Sequence, residues 1–262
     1  MTNQADFHII AETKDLIVID KPPLLLTHPT KPAGPITLWD RLNELLVYEK
    51  TVGGQVSLIN RLDRETSGLV LVAKNYQAAR FCSMAMEQGA IKKEYLALVS
   101  GTMNREEQII NAPIIRLGEV AESKIWLKRA IHPQGVSAMT RVHVEKKYTH
   151  PLYGALSLLR CYPLTGRTHQ IRLHLSSIGH PVIGDKLYGP SEEYYLEFIQ
   201  TGWTENLAKV LSIPRHALHS AAMEIFYDGT HYRWESELRA DLKELCYCNT
   251  RLSTLSRCSQ YE

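Results

Sequence analysis

The stretch INRLDRETSGLVLVAKN, residues 59–75, joins a polar turn to an unbroken apolar run. The run GLVLVAK is short, rich in β-branched residues, and bounded by glycine and by Lys74-Asn75, which reads as a buried strand. Ahead of it stand Arg61, Asp63, Arg64 and Glu65, in a turn where a rigid scaffold can present a side chain to a cleft. Taken alone, Asp63 has an ordinary explanation: aspartates in such turns bond nearby backbone N–H groups, or pair with a neighbour such as Arg61 or Arg64.

Outward from this stretch the chain alternates between extended and helical patterns. Upstream, DLIVIDKPP is a second buried strand that stops at Lys21, because the two prolines that follow remove donors and fix φ. Downstream, residues 76–88 carry apolar side chains at Phe81, Met84 and Ala85 with Gly89 placed to end a helix. IKKEYLALVSG then returns to strand character. RVHVEKKY, ALSLLRCYPL and AAMEIFYDGTHYRWES also read as extended, the last with Asp228-Gly229 as its hairpin turn. RTHQIRLHLSSIGHP differs: Ile171, Leu175 and Ile178 recur at i, i+4, i+7, with Thr168 as the expected cap and Gly179 as the stop. Strands outnumber helices without regular alternation, so the class is α+β rather than doubly wound. Pro and Gly cluster in residues 22–35 and 179–190, which are loops within a domain rather than linkers.

Composition narrows the function. With 262 residues, 44% hydrophobic and 22% charged, the chain has an ordinary globular make-up and enough length to bury a core. The net charge is +2, so a nucleic-acid ligand has to be held by a local basic patch. The five cysteines, Cys82, Cys161, Cys246, Cys248 and Cys258, fit neither a paired CxxC zinc site nor a disulfide framework; reduced thiols in the cytoplasm are expected. The N-terminus lacks a signal-peptide pattern, and no apolar run approaches the roughly 20 residues of a membrane span. GxGxxG and GxxxxGK[ST] motifs are missing, which argues against dinucleotide and P-loop chemistry.

Two further polar clusters accompany Asp63. TGRTHQIRLHLSSIGHPVIGDKLYG gathers Arg167, His169, Gln170, Arg172 and His174 about the first turns of one helix, where donors can converge on an anion or hold a carboxylate. A merely solvated helix face favours lysine and glutamate over arginine and histidine. IKKEYLALVSG adds Lys92 and Lys93 beside Tyr95, a basic pair next to an aromatic ring able to stack on a base, although ordinary strand packing explains Tyr95 equally well.

DLIVIDKPPLLLTHP, NRLDRETSGLVLVAK, KKEYLALVSG, LTGRTHQIRLHLSSIGHPVIGDKLYG and RHALHSAAMEIF resemble, in order, the sequence motifs of the RluA-type RNA pseudouridine synthases. They cover nearly the whole chain. The resemblance implies an α+β pseudouridine synthase fold, a mixed and mainly antiparallel sheet with flanking helices and loops around a central cleft. It implies a single catalytic domain over residues 1–262, without the small N-terminal S4-like RNA-binding domain of many relatives. The implied reaction detaches uracil from ribose C1′, turns it and rejoins it through C5, with neither metal nor organic cofactor. Asp63 is then the nucleophile, Arg172 its ion-pair partner, and Tyr95 the ring that stacks on the uracil and helps remove the C5 proton.

With a flipped-out uridine as target, RNA binding is expected of Arg61, Arg64, Lys92, Lys93, Arg167 and His169, Arg61 being placed to fill the vacated space or grip a flanking phosphate. The implied partner is a structured RNA, a tRNA or ribosomal stem-loop, bound by a monomer. One departure stands out: Asn60 replaces the histidine usual before Arg-Leu-Asp, which puts an RNA contact in question. Two rival readings exist. An inactive RNA-binding module needs the basic cleft but not Asp63, Tyr95 and Arg172 together. A metal hydrolase built on His169, His174, His180 and Asp185 lacks the HExxH spacing.

Overall fold

The computed structural model describes residues 7–31 and 33–246, so Cys248 and Cys258 lie outside the described residues. Its spine is a twisted sheet in the order β1-β2-β4-β11-β5-β10-β9-β6, with short β3 (Ser57–Leu58) beside β4 and β12 (Thr230–Glu235) beside β11. The strands of that path are β1 (His8–Glu12), β2 (Leu16–Lys21), β4 (Ser67–Ala73), β5 (Lys92–Ser100), β6 (Glu107–Asn111), β9 (Met139–His150), β10 (Gly154–Pro163) and β11 (Leu218–Tyr227). A separate hairpin pairs β7 (Ile114–Arg116) with β8 (Arg129–Ile131). Helices α1 (Leu38–Leu45), α2 (Val47–Thr51), α3 (Tyr76–Glu87), α4 (Gln170–Ser177), α5 (Glu193–Thr201), α6 (Glu205–Leu211) and α7 (Ala240–Cys246) flank the sheet.

The apolar runs of β2 and β4 have one cause: both faces are covered. Ile17, Ile19, Val70 and Val72 point into a core shared with Leu38 and Leu42 of α1, Ile171 and Leu175 of α4, and Leu242 and Leu245 of α7. Leu16, Val18, Leu69 and Leu71 point the other way, against Ala78, Cys82 and Ala85 of α3. The sequence spacing predicts Phe81 and Met84 on the buried side of α3, but they are 44% and 47% exposed. The stripe of small side chains lets the helix backbone approach the strands, which turns the larger neighbours outward. Asn75 caps this helix by accepting from the Ala78 N–H at 2.9 Å.

Among the described residues all pairings in the main sheet are antiparallel except one. β4 and β11 run parallel for two residue pairs, His219 with Ser67 and Ser220 with Gly68. A parallel contact sets the two strand starts side by side, so the turn before β4 and the loop before β11 meet at one edge of the cleft. Gly68 makes that approach possible: its φ is +107°, and a Cβ there would lie 2.1 Å from the Ser220 carbonyl oxygen.

The helix predicted from RTHQIRLHLSSIGHP forms as α4, with Ile171 and Leu175 buried. Its start differs from expectation. Thr168 does not cap it; His169 occupies the cap position in the left-handed region, φ 58°, with no side-chain cap bond. Gln170 ties the entry instead, accepting from the Arg167 N–H at 3.0 Å and the Thr165 hydroxyl at 2.6 Å. The expected Asp228-Gly229 turn links β11 to β12, with φ of 47° and 73°. Cys82, Cys161 and Cys246 are free and buried. Among the described residues no helix is long and apolar enough to cross a membrane.

Candidate active site

The turn bearing Asp63 is fastened from three sides. Below it, Asn60 is buried and bonded to β4, its Nδ2 donating to the Leu69 carbonyl at 3.1 Å and its Oδ1 accepting from the Leu71 N–H at 2.8 Å. Both polar atoms of the Asn60 amide are engaged by β4, so asparagine acts here as a length of sheet edge. Beside it, the Thr27 hydroxyl donates to the Leu62 carbonyl at 2.7 Å. Behind it, the fully buried Lys21 donates to the carbonyls of Pro22, Leu25 and Arg64 at 2.8, 2.9 and 3.3 Å. Burial lowers this amine to about 7, with the Asp63 charge opposing the shift.

The loop before β11 supplies the remaining support. Glu65 accepts from the Lys186 amine at 2.8 Å and the His216 N–H at 3.0 Å. Thr66 Oγ1 bonds His216 Nε2 at 2.7 Å. Arg215 donates to the Glu65 carbonyl at 3.2 Å while it grips both oxygens of Asp241 at 2.6 and 3.0 Å. The side chains two and three residues past Asp63 are thus locked, and the Asp63 carboxylate is left at the surface of a rigid base.

That carboxylate meets α4. Arg172 Nη1 donates to Asp63 Oδ2 at 2.8 Å, while its Nε and Nη2 donate to the two oxygens of Asp185 at 2.7 and 2.8 Å. Asp185 is fully buried and also accepts from the Leu187 and Tyr188 N–H groups at 2.9 and 3.0 Å. Arg172 is buried too, whereas the Asp63 side chain is 29% exposed. One arginine is therefore aimed by a buried carboxylate and presents its last N–H to an accessible one. The alternatives for Asp63 do not occur, since Arg61 and Arg64 are exposed and Arg64 Nε turns to the Leu24 carbonyl at 3.3 Å.

Electrostatics follow from this packing. Burial opposes ionisation of Asp63, yet His169, Arg172, His216 and the direct Arg172 bond outweigh it and hold the carboxyl at about 2. His169 Nε2 lies 3.9 Å from Asp63 Oδ1, and its Nδ1 bonds the Tyr188 hydroxyl at 2.8 Å. Burial and the Arg172 charge lower this imidazole to about 4, so at neutral pH it is uncharged and serves as a hydrogen-bonding wall of the cleft rather than a phosphate-binding cation.

Tyr95 lies buried on β5 opposite Ser220 of β11. Burial raises its phenol to about 12, the Ser220 hydroxyl opposing and the Asp63 charge adding to the shift. Strand alternation puts Lys93 on the face of Tyr95 and Lys92 on the opposite face. Lys93 is half-buried and lowered by burial, and its amine lies 3.7 Å from where a Cβ on Gly166 would stand. Lys92 is exposed and donates to the Gly89 carbonyl at 3.0 Å, so it does not join the cleft beside Tyr95. Arg167 is exposed at the entry to α4, its Nε donating to the Ser137 carbonyl at 3.1 Å. Arg61 stands near His28, whose imidazole is held low by burial and by that charge.

The metal-hydrolase constellation does not assemble. His174 is buried between Thr140 Oγ1 at 2.9 Å and the Ala112 carbonyl at 3.0 Å, and His180 bonds the Ser100 carbonyl at 2.9 Å. Asp185, the fourth member, faces Arg172. Among the described residues no group of three His, Cys, Asp or Glu is placed to hold a metal ion.

Residues 15–177 match the family model described as RNA pseudouridylate synthase. The chain belongs to the RluA-type RNA pseudouridine synthases. It is 34% identical over 236 residues to an uncharacterized RNA pseudouridine synthase of Helicobacter pylori, covering 90% of this chain and 75% of the relative. It is 35% identical over 242 residues to the ribosomal large subunit pseudouridine synthase D of Nitrosomonas europaea, spanning 90% of this chain and 63% of that one. The fold is also that of human RNA pseudouridylate synthase domain containing 1, with a TM-score of 0.66, 24% identity, and coverage of 88% and 83% of the two chains. As a pseudouridine synthase it is an isomerase acting on uridine in RNA.

Several supporting residues of this synthase went unassigned from sequence. A lysine closing the run LIVIDK just before two prolines is a signal for a buried amine, since a strand covered on both faces leaves it no solvent. Asp185 and Tyr188 carry no such signal. They act through a loop that passes Arg215 so closely that a Cβ on Gly184 would lie 2.1 Å from the Arg215 carbonyl oxygen.

Proposed function

We propose that Asp63 is the nucleophile of uridine isomerisation in a structured RNA, a tRNA or a ribosomal stem-loop, the second favoured by the relative named for the large ribosomal subunit. The observation that carries the reading is the ionised, partly exposed Asp63 carboxylate bonded at 2.8 Å to an arginine that a buried aspartate fixes in place. A carboxylate so held is charged without being enclosed, which is what attack on a sugar carbon or a pyrimidine ring demands. The N1–C1′ bond breaks, uracil turns within the cleft, C5 bonds to C1′ as the carboxylate is released, and the C5 proton is lost while N1 takes one up. Atoms and oxidation state are conserved overall, so the step calls for no redox cofactor.

Tyr95 forms the floor on which the uracil lies. With its phenol near 12 it is protonated at neutral pH, which favours packing and hydrogen bonding over a resident phenolate base. The target uridine has to leave its stack, at a cost of a few kcal/mol, and Arg61, Arg64, Lys93 and Arg167 are the cations available to grip flanking phosphates. Lys92 contributes from outside the cleft. The free buried thiols accord with a cytoplasmic protein. The test is pseudouridine mapping of total RNA from cells with the gene, without it, and complemented by Asp63→Asn. Uridine positions lost on deletion and restored only by the wild type support the reading. Identical maps in all three overturn it.

A further inference from the structure

We propose that Trp126, on the loop joining β7 to β8, is a stacking platform for an unpaired base of the RNA flanking the target uridine. The inference rests on the functional reading above and adds a second base-binding position to it. Trp126 is 77% exposed, an unusual placement for the largest apolar side chain on a loop tip. Its ring is not loose. The Arg116 guanidinium lies 3.7 Å from the ring centroid on one face, and Arg116 is itself held by Glu119 at 3.1 Å. One face of the indole is therefore backed by a cation and the other is open, the arrangement that receives a π-stacked base.

The loop beneath it is built to hold still. Ser123 and Ile125 exchange two bonds, Oγ to carbonyl at 3.1 Å and N–H to Oγ at 3.2 Å, and the Leu117 N–H donates to the Lys128 carbonyl at 2.9 Å. Ile125, next to Trp126, is buried against Leu173 of α4 and Tyr188. The Arg129 N–H donates to the Tyr188 hydroxyl at 3.0 Å, the same hydroxyl that bonds His169 beside Asp63. The platform thus sits on a rigid arm resting on the helix that supplies Arg172.

The charges on the arm are mixed: Lys124 and Glu122 are exposed, while Glu119 is engaged by Arg116 and Lys128 pairs with Glu192, so the guanidinium behind the ring is the cation that bears on a bound base. On this loop Leu127 is the other exposed large apolar side chain, too small a group for the apolar centre of a protein interface. An exposed indole backed by one guanidinium suits a nucleotide base, which stacks on the outer face.

The test compares Trp126→Ala and Trp126→Phe with the wild type, using a labelled RNA stem-loop with an all-uridine loop across a salt series, and total cellular RNA as substrate. Trp126→Ala should weaken binding by about 5- to 150-fold, the range for losing one base–aromatic stack. Trp126→Phe should stay within a few-fold of the wild type. The slope of log affinity against log salt should not change, because no phosphate contact is removed. Turnover at saturating RNA should also hold, separating this residue from the reacting centre. Unaltered binding by Trp126→Ala overturns the proposal, as does a slope change of about one, which would make the ring a mere support for a phosphate-binding arginine. Absence of Asp63-dependent pseudouridine in the wild-type reaction strikes the functional reading instead, while the binding comparison still decides the platform.

Discussion

Arg172 holds two carboxylates with three N–H groups, and every consequence at the scale of single residues follows from that division. Replacing it by methionine leaves Asp185 fully buried with its strongest partner gone and Asp63 charged without a counter-ion. Breaking one buried pair costs about 3 to 5 kcal/mol, so Arg172→Met should lose stability of that order in denaturant unfolding and lose activity with it. Arg172→Lys should not restore either, since an ammonium cannot reproduce the planar fork. A fully stable, active Arg172→Met protein would show that the pair does no work. The pH dependence has a definite sign. Asp63 falls from 3.8 to about 2 on folding, so its ion pair stabilises fully above pH 3.8 and is lost as pH drops through about 2. His169, at about 4, is already neutral by pH 5. The pH profile of kcat/KM should therefore show no acid limb between pH 5 and 7, and a limb with an apparent pKa of 5 to 6 would contradict this electrostatic account. At this scale the sequence was readable where a motif names a residue, as for Asp63 and Arg172. Asp185 was raised only as a ligand of a rival metal site, because its pairing with Arg172 depends on a loop trajectory that leaves no periodicity.

Among the elements, the short parallel contact of β4 with β11 does most to create the site, because it brings the Asp63 turn against the loop of Arg215 and His216. Gly68→Ala tests it. An alanine Cβ would meet the Ser220 carbonyl oxygen at 2.1 Å, on a backbone at φ +107° that an L side chain rarely adopts. Overpacking and backbone strain together imply about 2 to 6 kcal/mol of lost stability, read by thermal or chemical unfolding. A Gly68→Ala protein as stable as the wild type would mean the strands do not meet this closely. Strands were the most legible elements, since β2, β4 and β5 announce themselves as apolar runs with proline or glycine at one end. The register and the single parallel pairing were not, because side-chain pattern fixes which face is buried but not which neighbour lies alongside. The burial of α3 was misjudged for a related reason: small residues seldom look like a core face until a sheet is laid against them. The start of α4 was misjudged because Gln170, not the threonine before it, satisfies the entry.

For the molecule as a whole, a net charge of +2 means that the proposed RNA contacts fall to a handful of arginines and lysines near the cleft. Each phosphate contact releases counterions, so affinity and turnover at limiting RNA should fall steeply between 50 and 200 mM salt, by an amount set by the number of contacts. Salt-insensitive turnover would place the RNA elsewhere on the surface. The two-sided sheet, the loops held by Lys21, Glu65 and Arg215, and the buried Arg172–Asp185 pair all serve to present one ionised carboxylate at the floor of that cleft. The direct test is therefore Asp63→Asn, nearly isosteric and unable to act as a carboxylate nucleophile, assayed by pseudouridine formation in RNA from cells lacking the gene. The account predicts a variant that folds and binds RNA as the wild type does and makes no pseudouridine; normal turnover by Asp63→Asn would contradict it.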